Sequence, residues 1–244
     1  ASTESTPEGY RQVSVIEVID ITNPLRTRIV GSVEIPTGIR ALELAGSRAY
    51  VIGEYPYRLT AIDVSIPTKP ALLKTNESIV GEADLQDILI DGGYAFIADG
   101  LAGLRIIDIS NPERPAEVRR LNLGGRAFRP YRYGKTLYAG VEQKYFHLID
   151  ARNPAKPALA YTEGYSRSYE SPSVLVKNKR AYFTASEFKI YDVSNPAAPR
   201  QINKTSIAVD SMQVQGNYLY STIGEIGLLV YDIADPASPV LAAK

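Results

Sequence analysis

Six times along the chain, a short run that is apolar on two faces ends in an aspartate and then a proline. The runs read VIEVIDITNP ending at Pro24, LTAIDVSIP at Pro67, LRIIDISNP at Pro112, FHLIDARNP at Pro154, FKIYDVSNP at Pro196 and LLVYDIADP at Pro236. Counting back from Asp20, Asp63, Asp108, Asp150, Asp192 and Asp232, the residues four and two before are apolar in every copy and share one face of a strand. The residue one before, Ile19, Ile62, Ile107, Ile149, Tyr191 or Tyr231, is apolar on the other face. Strands apolar on both sides are those packed between two further layers. Only the position three before is tolerant, with Glu17, Thr60, Arg105, His147, Lys189 and Leu229, and it reads as an exposed strand position.

A second pattern lies between these runs: GSRAYVI, GGYAFIA, GKTLYAG, NKRAYFT and GNYLYST. Each is a Gly or Asn turn opening an aromatic strand, the mark of a tight hairpin. One unit is therefore an inner strand such as SMQVQ, a hairpin, an aromatic second strand, a third strand ending in the aspartate, and an outer strand beyond the prolines. The aspartates stand 43, 45, 42, 42 and 40 residues apart, which matches a four-stranded propeller blade. No stretch has sustained helical spacing. The aspartate, serine and proline are turn devices: the side chains accept bonds from nearby amides and proline fixes φ. Five units carry a second proline, Pro70, Pro115, Pro157, Pro199 and Pro239, and the first has Thr27 instead. The aromatic residues Tyr50, Phe96, Tyr138, Tyr182 and Tyr220 hold equivalent positions and read as packing between blades.

The six phrases, in register over residues 14–244, resemble the LVIVD-repeat family. That resemblance implies a β-propeller, in a family of mostly exported or surface-associated bacterial and archaeal proteins, and it hands over no catalytic residues. The predicted fold is all-β, a propeller of four-stranded antiparallel blades forming one domain over 14–244, with 1–13 as an N-terminal extension. The first unit supplies only its third and outer strands, 14–36, to which residues 1–13 add one short strand at most. Six blades with an incomplete first blade is the favoured count, and five blades with an appended N-terminal hairpin the alternative.

Composition narrows the function. Lys plus Arg and Asp plus Glu both number 27, so nothing in the balance favours nucleic acid or an anionic membrane. No apolar run is long enough to span a bilayer as a helix. The start, ASTESTPEGYRQ, lacks a signal peptide's features and is compatible with a mature end left after cleavage. Cysteine is absent, which excludes disulfides, thiolate metal sites and thiol catalysis and fits an extracellular, periplasmic or cell-surface location. His147 is the sole histidine, so serine-triad and His-metal chemistry fall, and no cofactor or metal is expected. The six aspartates are separated by the repeat, whereas a metal needs several oxygens around one point.

The units differ most in their loops. Arg40, Tyr55, Tyr57, Arg58, Arg126, Arg129, Tyr131, Arg132, Tyr165, Arg167 and Tyr169 fall in connections expected to gather on one propeller face. Where sister inner strands read ALEL, DILI, SVLV and SMQV, one reads RPYR over 129–132. Arg and Tyr anchor interfaces, and Arg grips carboxylates in bidentate fashion. The expected function is a non-enzymatic binding or scaffold module for a protein partner, an anionic small molecule or a glycan. The alternative is a glycan- or polymer-acting hydrolase using acids such as Glu82, Asp84 or Asp87.

Overall fold

The computed structural model describes residues 2–6, 9–54, 57–76, 84–141, 145–164, 173–184, 187–205, 211–223 and 227–244. Among these all regular structure is strand, in two compact units, Ala1–Arg120 and Leu121–Lys244. The first unit opens with a three-stranded sheet, β1 (Ser2–Thr6), β2 (Gly9–Asp20) and β3 (Arg28–Ile35). Residues 1–13 thus contribute β1 and the first part of β2. A four-stranded sheet follows, β4 (Ala41–Ala45), β5 (Arg48–Gly53), β6 (Arg58–Asp63) and β7 (Ala71–Asn76). The next is β8 (Leu85–Asp91), β9 (Tyr94–Asp99), β10 (Leu104–Asp108) and β11 (Ala116–Leu121).

The second unit holds three four-stranded sheets. The fourth sheet is β12 (Ala127–Tyr133), β13 (Thr136–Val141), β14 (Tyr145–Asp150) and β15 (Ala158–Gly164). The fifth is β16 (Ser173–Lys177), β17 (Arg180–Thr184), β18 (Phe188–Asp192) and β19 (Arg200–Thr205). The sixth is β20 (Ser211–Gln215), β21 (Tyr218–Ile223), β22 (Gly227–Asp232) and β23 (Val240–Ala243). Strands within each sheet are neighbours in chain order, so six sheets stand where six repeats were read, the first of them short of the full pattern.

The turn after each third strand follows from its side chains. The amides of Thr22, Ser65, Ser110, Arg152, Ser194 and Ala234 donate to the carboxylate two residues before, at 2.8–3.0 Å. In five units an Asn or Asp repeats the device: Asn23, Asn111, Asn153, Asn195 and Asp235 accept from Leu25, Glu113, Ala155, Ala197 and Ala237. The second unit of the repeat has Ile66 there and keeps only the main-chain bond from Lys69. Beyond the turn, five outer strands carry a bulge opposite the residues one and two before the aspartate, as where Ala61 faces Lys74 but Ile62 faces Leu72. Gly31 is required by close approach, because a Cβ there would lie 2.2 Å from the Pro67 carbonyl oxygen and 2.7 Å from the Pro70 ring.

Packing runs from sheet to sheet within each unit. Tyr50, Ile52, Leu59 and Ala61 of the second sheet meet Leu85, Ile88, Ala95 and Ile97 of the third. Phe146 and Leu148 meet Phe183 and Tyr191, and Phe188 and Ile190 meet Leu229 and Tyr231. Each large apolar side chain so enclosed contributes about 1.5–3 kcal/mol. Phe146 and Phe183 add a tilted ring contact with centroids 4.8 Å apart.

One expectation is overturned. The tolerant position three before the aspartate is exposed only at Glu17: Thr60 is 0%, Arg105 2%, His147 3% and Lys189 5% exposed. The cause is strand parity, since this position shares its face with the apolar residue one before the aspartate. Each long polar side chain is satisfied locally. Arg105 bonds Asp99 and, at 3.0 Å, Glu117, which also pairs with Arg120. His147 lies 3.0 Å from the Leu123 carbonyl and 2.9 Å from the Thr162 hydroxyl. A carbonyl only accepts, so Nε2 carries the proton and Thr162 donates to Nδ1. Lys189 stands 3.6 Å from Glu163 and 3.8 Å from Glu187.

Candidate functional site

The strand that reads RPYR is β12, the inner strand of the fourth sheet. Its register breaks between Phe128, opposite Gly140, and Tyr131, opposite Tyr138, so two residues face one. The two are Arg129 and Pro130. Proline has no amide to give to the ladder, which suits a bulge. Arg129 takes φ 38°, the left-handed region that favours glycine, and its side chain is exposed. Such a conformation costs an arginine about 1–3 kcal/mol.

The neighbours of Arg129 are used differently. The Tyr131 hydroxyl donates to the Val176 carbonyl at 3.1 Å and its ring packs on the core shared with the fifth sheet. Arg132 points toward the hairpin end of the strand, where Nε donates to the Gly134 carbonyl at 2.9 Å and Nη2 lies 3.5 Å from the Ala151 carbonyl. Arg126 is half-buried just before β12. The structure therefore leaves Arg129 as the outward-facing residue of the RPYR segment, with Tyr131 and Arg132 engaged in fixing the strand.

In the first unit, Arg40 lies 3.5 Å from Glu54 and donates to Gln86 at 2.6 Å. Main-chain bonds between Gly38 and Glu54 in both directions hold this loop. Tyr57 packs on the core of the second and third sheets, and Arg58 opens β6 opposite Gly53. Tyr55, Tyr165, Arg167 and Tyr169 lie outside the described residues, as does Glu82. On the inner strands β4 and β8, burial and the Asp87 carboxylate together push the Glu43 carboxyl up, an acidic pair that motif reading passed over.

A cavity of about 480 Å³ opens at the hairpin end between the fourth and fifth sheets, within the range that holds small ligands. Tyr133 and Tyr138 line it together with Lys135, Arg152 and Lys179. Its carboxylate, Asp150, is already held by the Arg152 guanidinium. Neither lysine has an ion-pair partner among the described residues, so the lining can meet an anionic group beside an aromatic wall. Among the described residues no group of three or more His, Asp or Glu side chains is arranged to hold a metal ion, and no helix is long and apolar enough to cross a membrane.

The comparisons follow the repeats. The family model described as LVIVD repeat matches residues 82–122, 170–204 and 208–244. No curated protein matches the chain. Among solved structures it is similar to BamB from Moraxella catarrhalis, at 12% identity and a TM-score of 0.68 over 95% of this chain and 69% of that one. It is similar to the periplasmic gluconolactonase PpgL of Pseudomonas aeruginosa, at 12% identity and a TM-score of 0.69 over 89% of this chain and 72% of that one. It also matches the computationally designed Ika8 protein, at 11% identity and a TM-score of 0.69 over 88% of this chain and 64% of that one. The chain thus spans about two thirds of the length of these three proteins, and at such identities the likeness is one of fold. BamB and the gluconolactonase are β-propellers. With the aspartate turns, the consecutive antiparallel sheets and the three matched segments in agreement, the chain carries LVIVD repeats over those three segments and takes the β-propeller fold.

Proposed function

We propose that the protein is a non-enzymatic binding or scaffold module, exported or held at a cell surface, folded as one domain over 14–244, that grips a protein segment or an anionic ligand through its Arg- and Tyr-bearing loops. The observation that carries this reading is Arg129. A strand whose sisters are apolar holds an exposed arginine in a strained conformation, and strain of this kind is kept where it serves a function. The lysine-lined cavity at the other end of β12 supports an anionic ligand in the same part of the molecule. The absence of cysteine and the likeness to a periplasmic propeller support export.

A second reading, a hydrolase acting on glycans or similar polymers, rests on Glu43 and Asp87 of neighbouring inner strands, because a carboxyl whose pKa is pushed up beside a second acid is the kind of pairing such hydrolysis uses. It is weaker because a pair of acids on inner strands is not by itself a cleft.

The test separates Arg129 from its strain. Affinity capture from the source's own extract identifies a component, which is then titrated against three chains. Arg129→Ala is expected to weaken binding by about 1–3 kcal/mol, less so at high salt. Arg129→Gly should weaken binding equally while raising stability by up to about 1 kcal/mol, since glycine accepts this φ without cost. Equal binding by all three chains would remove Arg129 from the function.

A further inference from the structure

Two grooves between neighbouring sheets, both at the hairpin ends, can be compared position by position. The one between the second and third sheets encloses about 390 Å³ and is walled in part by Ala45, Tyr50 and Gly93. The one between the fourth and fifth is the cavity of about 480 Å³ described above. Ala45 and Tyr133 are equivalent, since each closes its inner strand opposite the first residue of the next strand, Arg48 or Thr136. Ser47 and Lys135 are equivalent, since their carbonyls accept from the amide that follows the aspartate of the same sheet, at Val64 and Ala151. By the same bond, to Ile109 and to Val193, Gly93 matches Lys179. An alanine, a serine and a glycine at one groove are thus a tyrosine and two lysines at the other.

The exchange of glycine for lysine runs against local backbone preference. Gly93 has φ 81° and Lys179 φ 60°, both in the left-handed region, where glycine is at ease and lysine is strained. The Lys179 amide is put to use there, donating to the Tyr133 hydroxyl at 3.2 Å. That bond takes a lone pair of the phenol oxygen and leaves its proton to give to something else. A strained residue that brings a charge to a cavity, and also orients a tyrosine in its wall, is what a ligand site keeps.

We propose that this cavity binds a uronic acid, a pyranose carrying one carboxylate, either free or at the end of a glycan. The carboxylate meets the ammonium groups of Lys135 and Lys179, while the ring lays its apolar face on the tyrosine wall and its hydroxyls meet the neutral donors. Those donors are the Tyr133 hydroxyl and the Asn195 side chain, whose Oδ1 already accepts from the Ala197 amide and whose Nδ2 is left to donate. Asp150 does not repel the ligand's carboxylate, because Arg152 neutralises it. The proposal rests on the reading above that the protein binds an anionic ligand, and it assigns that ligand a class and a place apart from Arg129.

A phosphate or sulfate group fits less well. Such groups are cradled by free main-chain amides, and the amides along this lining are committed: that of Val193 to the Lys179 carbonyl, that of Ser194 to Asp192 and that of Ala197 to Asn195. Two ammonium groups, neutral donors and an aromatic wall remain, which suit one carboxylate and a ring of hydroxyls.

The experiment titrates the whole chain, by saturation-transfer NMR and calorimetry, with glucuronate, glucose, inorganic phosphate and a disaccharide ending in glucuronate. Glucuronate is expected to saturate at one per chain and to bind about tenfold tighter than glucose or phosphate. Tighter binding of the disaccharide makes a glycan end the occupant and tighter binding of the monosaccharide a free sugar, each with the proposal intact. Lys179→Gly should weaken glucuronate binding about tenfold while the melting temperature rises, because glycine accepts this φ without strain. Tyr133→Phe, which keeps the ring, should weaken it about two- to tenfold, and Arg119→Gln, an exposed charge on β11, should leave it unchanged. Glucose or phosphate binding as tightly as glucuronate overturns the proposal, as does binding indifferent to Lys179→Gly. If glucuronate binding falls with Arg129→Ala yet survives Lys179→Gly, the cavity is the wrong place while anion binding through Arg129 stands. If no probe binds, the cavity proposal falls alone, and the captured component titrated against Arg129→Ala decides the broader reading.

Discussion

Arg105 and Asp99 meet inside the third sheet with both side chains closed off from water, the arginine Nε donating to the aspartate Oδ2 at 2.9 Å. The second aspartate oxygen accepts from the Asp84 amide at 3.3 Å, and the guanidinium reaches on to Glu117. Every charged atom here has a counterpart, which is the condition under which buried ions are tolerated. Removing one partner strands the other. Asp99→Ala is expected to cost about 3–5 kcal/mol in urea unfolding, while Arg105→Met combined with Asp99→Leu recovers most of that loss. A single-mutant loss below about 1 kcal/mol would contradict the closed pair.

The aspartate turns tie stability to acid. Bonds from the neighbouring hydroxyl or guanidinium, and then from the amide, hold Asp20, Asp63, Asp108 and Asp150 below the usual carboxylate range; at Asp192 the amide of Ser194 acts first. A carboxyl whose folded pKa is depressed adds stability that is present above its unfolded value, about 3.9, and lost as pH falls through the folded value. Melting temperature is therefore expected to drop below about pH 4. Asp108→Asn keeps an acceptor for the Ser110 amide and should reduce this acid dependence, whereas Asp108→Ala loses the acceptor and about 0.5–2 kcal/mol at neutral pH.

His147 works in a higher window. Burial is the larger influence and pushes its pKa down, with the bond to the Leu123 carbonyl opposing. The unfolded chain then binds the proton more readily than the folded one, so stability is complete above the unfolded value of about 6.5 and declines as pH falls below it. His147→Asn should flatten the melting-temperature profile between about pH 7 and pH 5. An unchanged slope would mean that another group titrates there.

How much of this was legible can be judged residue by residue. The repeat, the strand order and the aspartate turns follow from local chemistry that the sequence displays directly, since an Asx turn needs only an acceptor and an amide two residues on. The burial of Arg105, His147 and Lys189 was equally implied by parity with Ile107, Ile149 and Tyr191, and was missed because residue type was weighed above strand phase. Outer strands were less readable, because a bulge of one residue shifts the alternation of faces midway, as between Leu148 and Ile149. At the candidate site, sequence singled out RPYR but could not tell that Tyr131 is drawn into packing while Arg129 is turned outward. That difference depends on a backbone angle.

The bonds between consecutive sheets of the second unit bear on how such a chain can change over time. Tyr131 donates to the Val176 carbonyl, Lys177 to that of Val214 and Asn203 to that of Ala237. In each tie the acceptor is main chain, which every residue type possesses. A donor therefore constrains where its neighbour's backbone runs without constraining what its neighbour's side chain is. Substitutions at the acceptor positions leave these ties standing, so one repeat can drift, as β12 has, without compensating changes in the next.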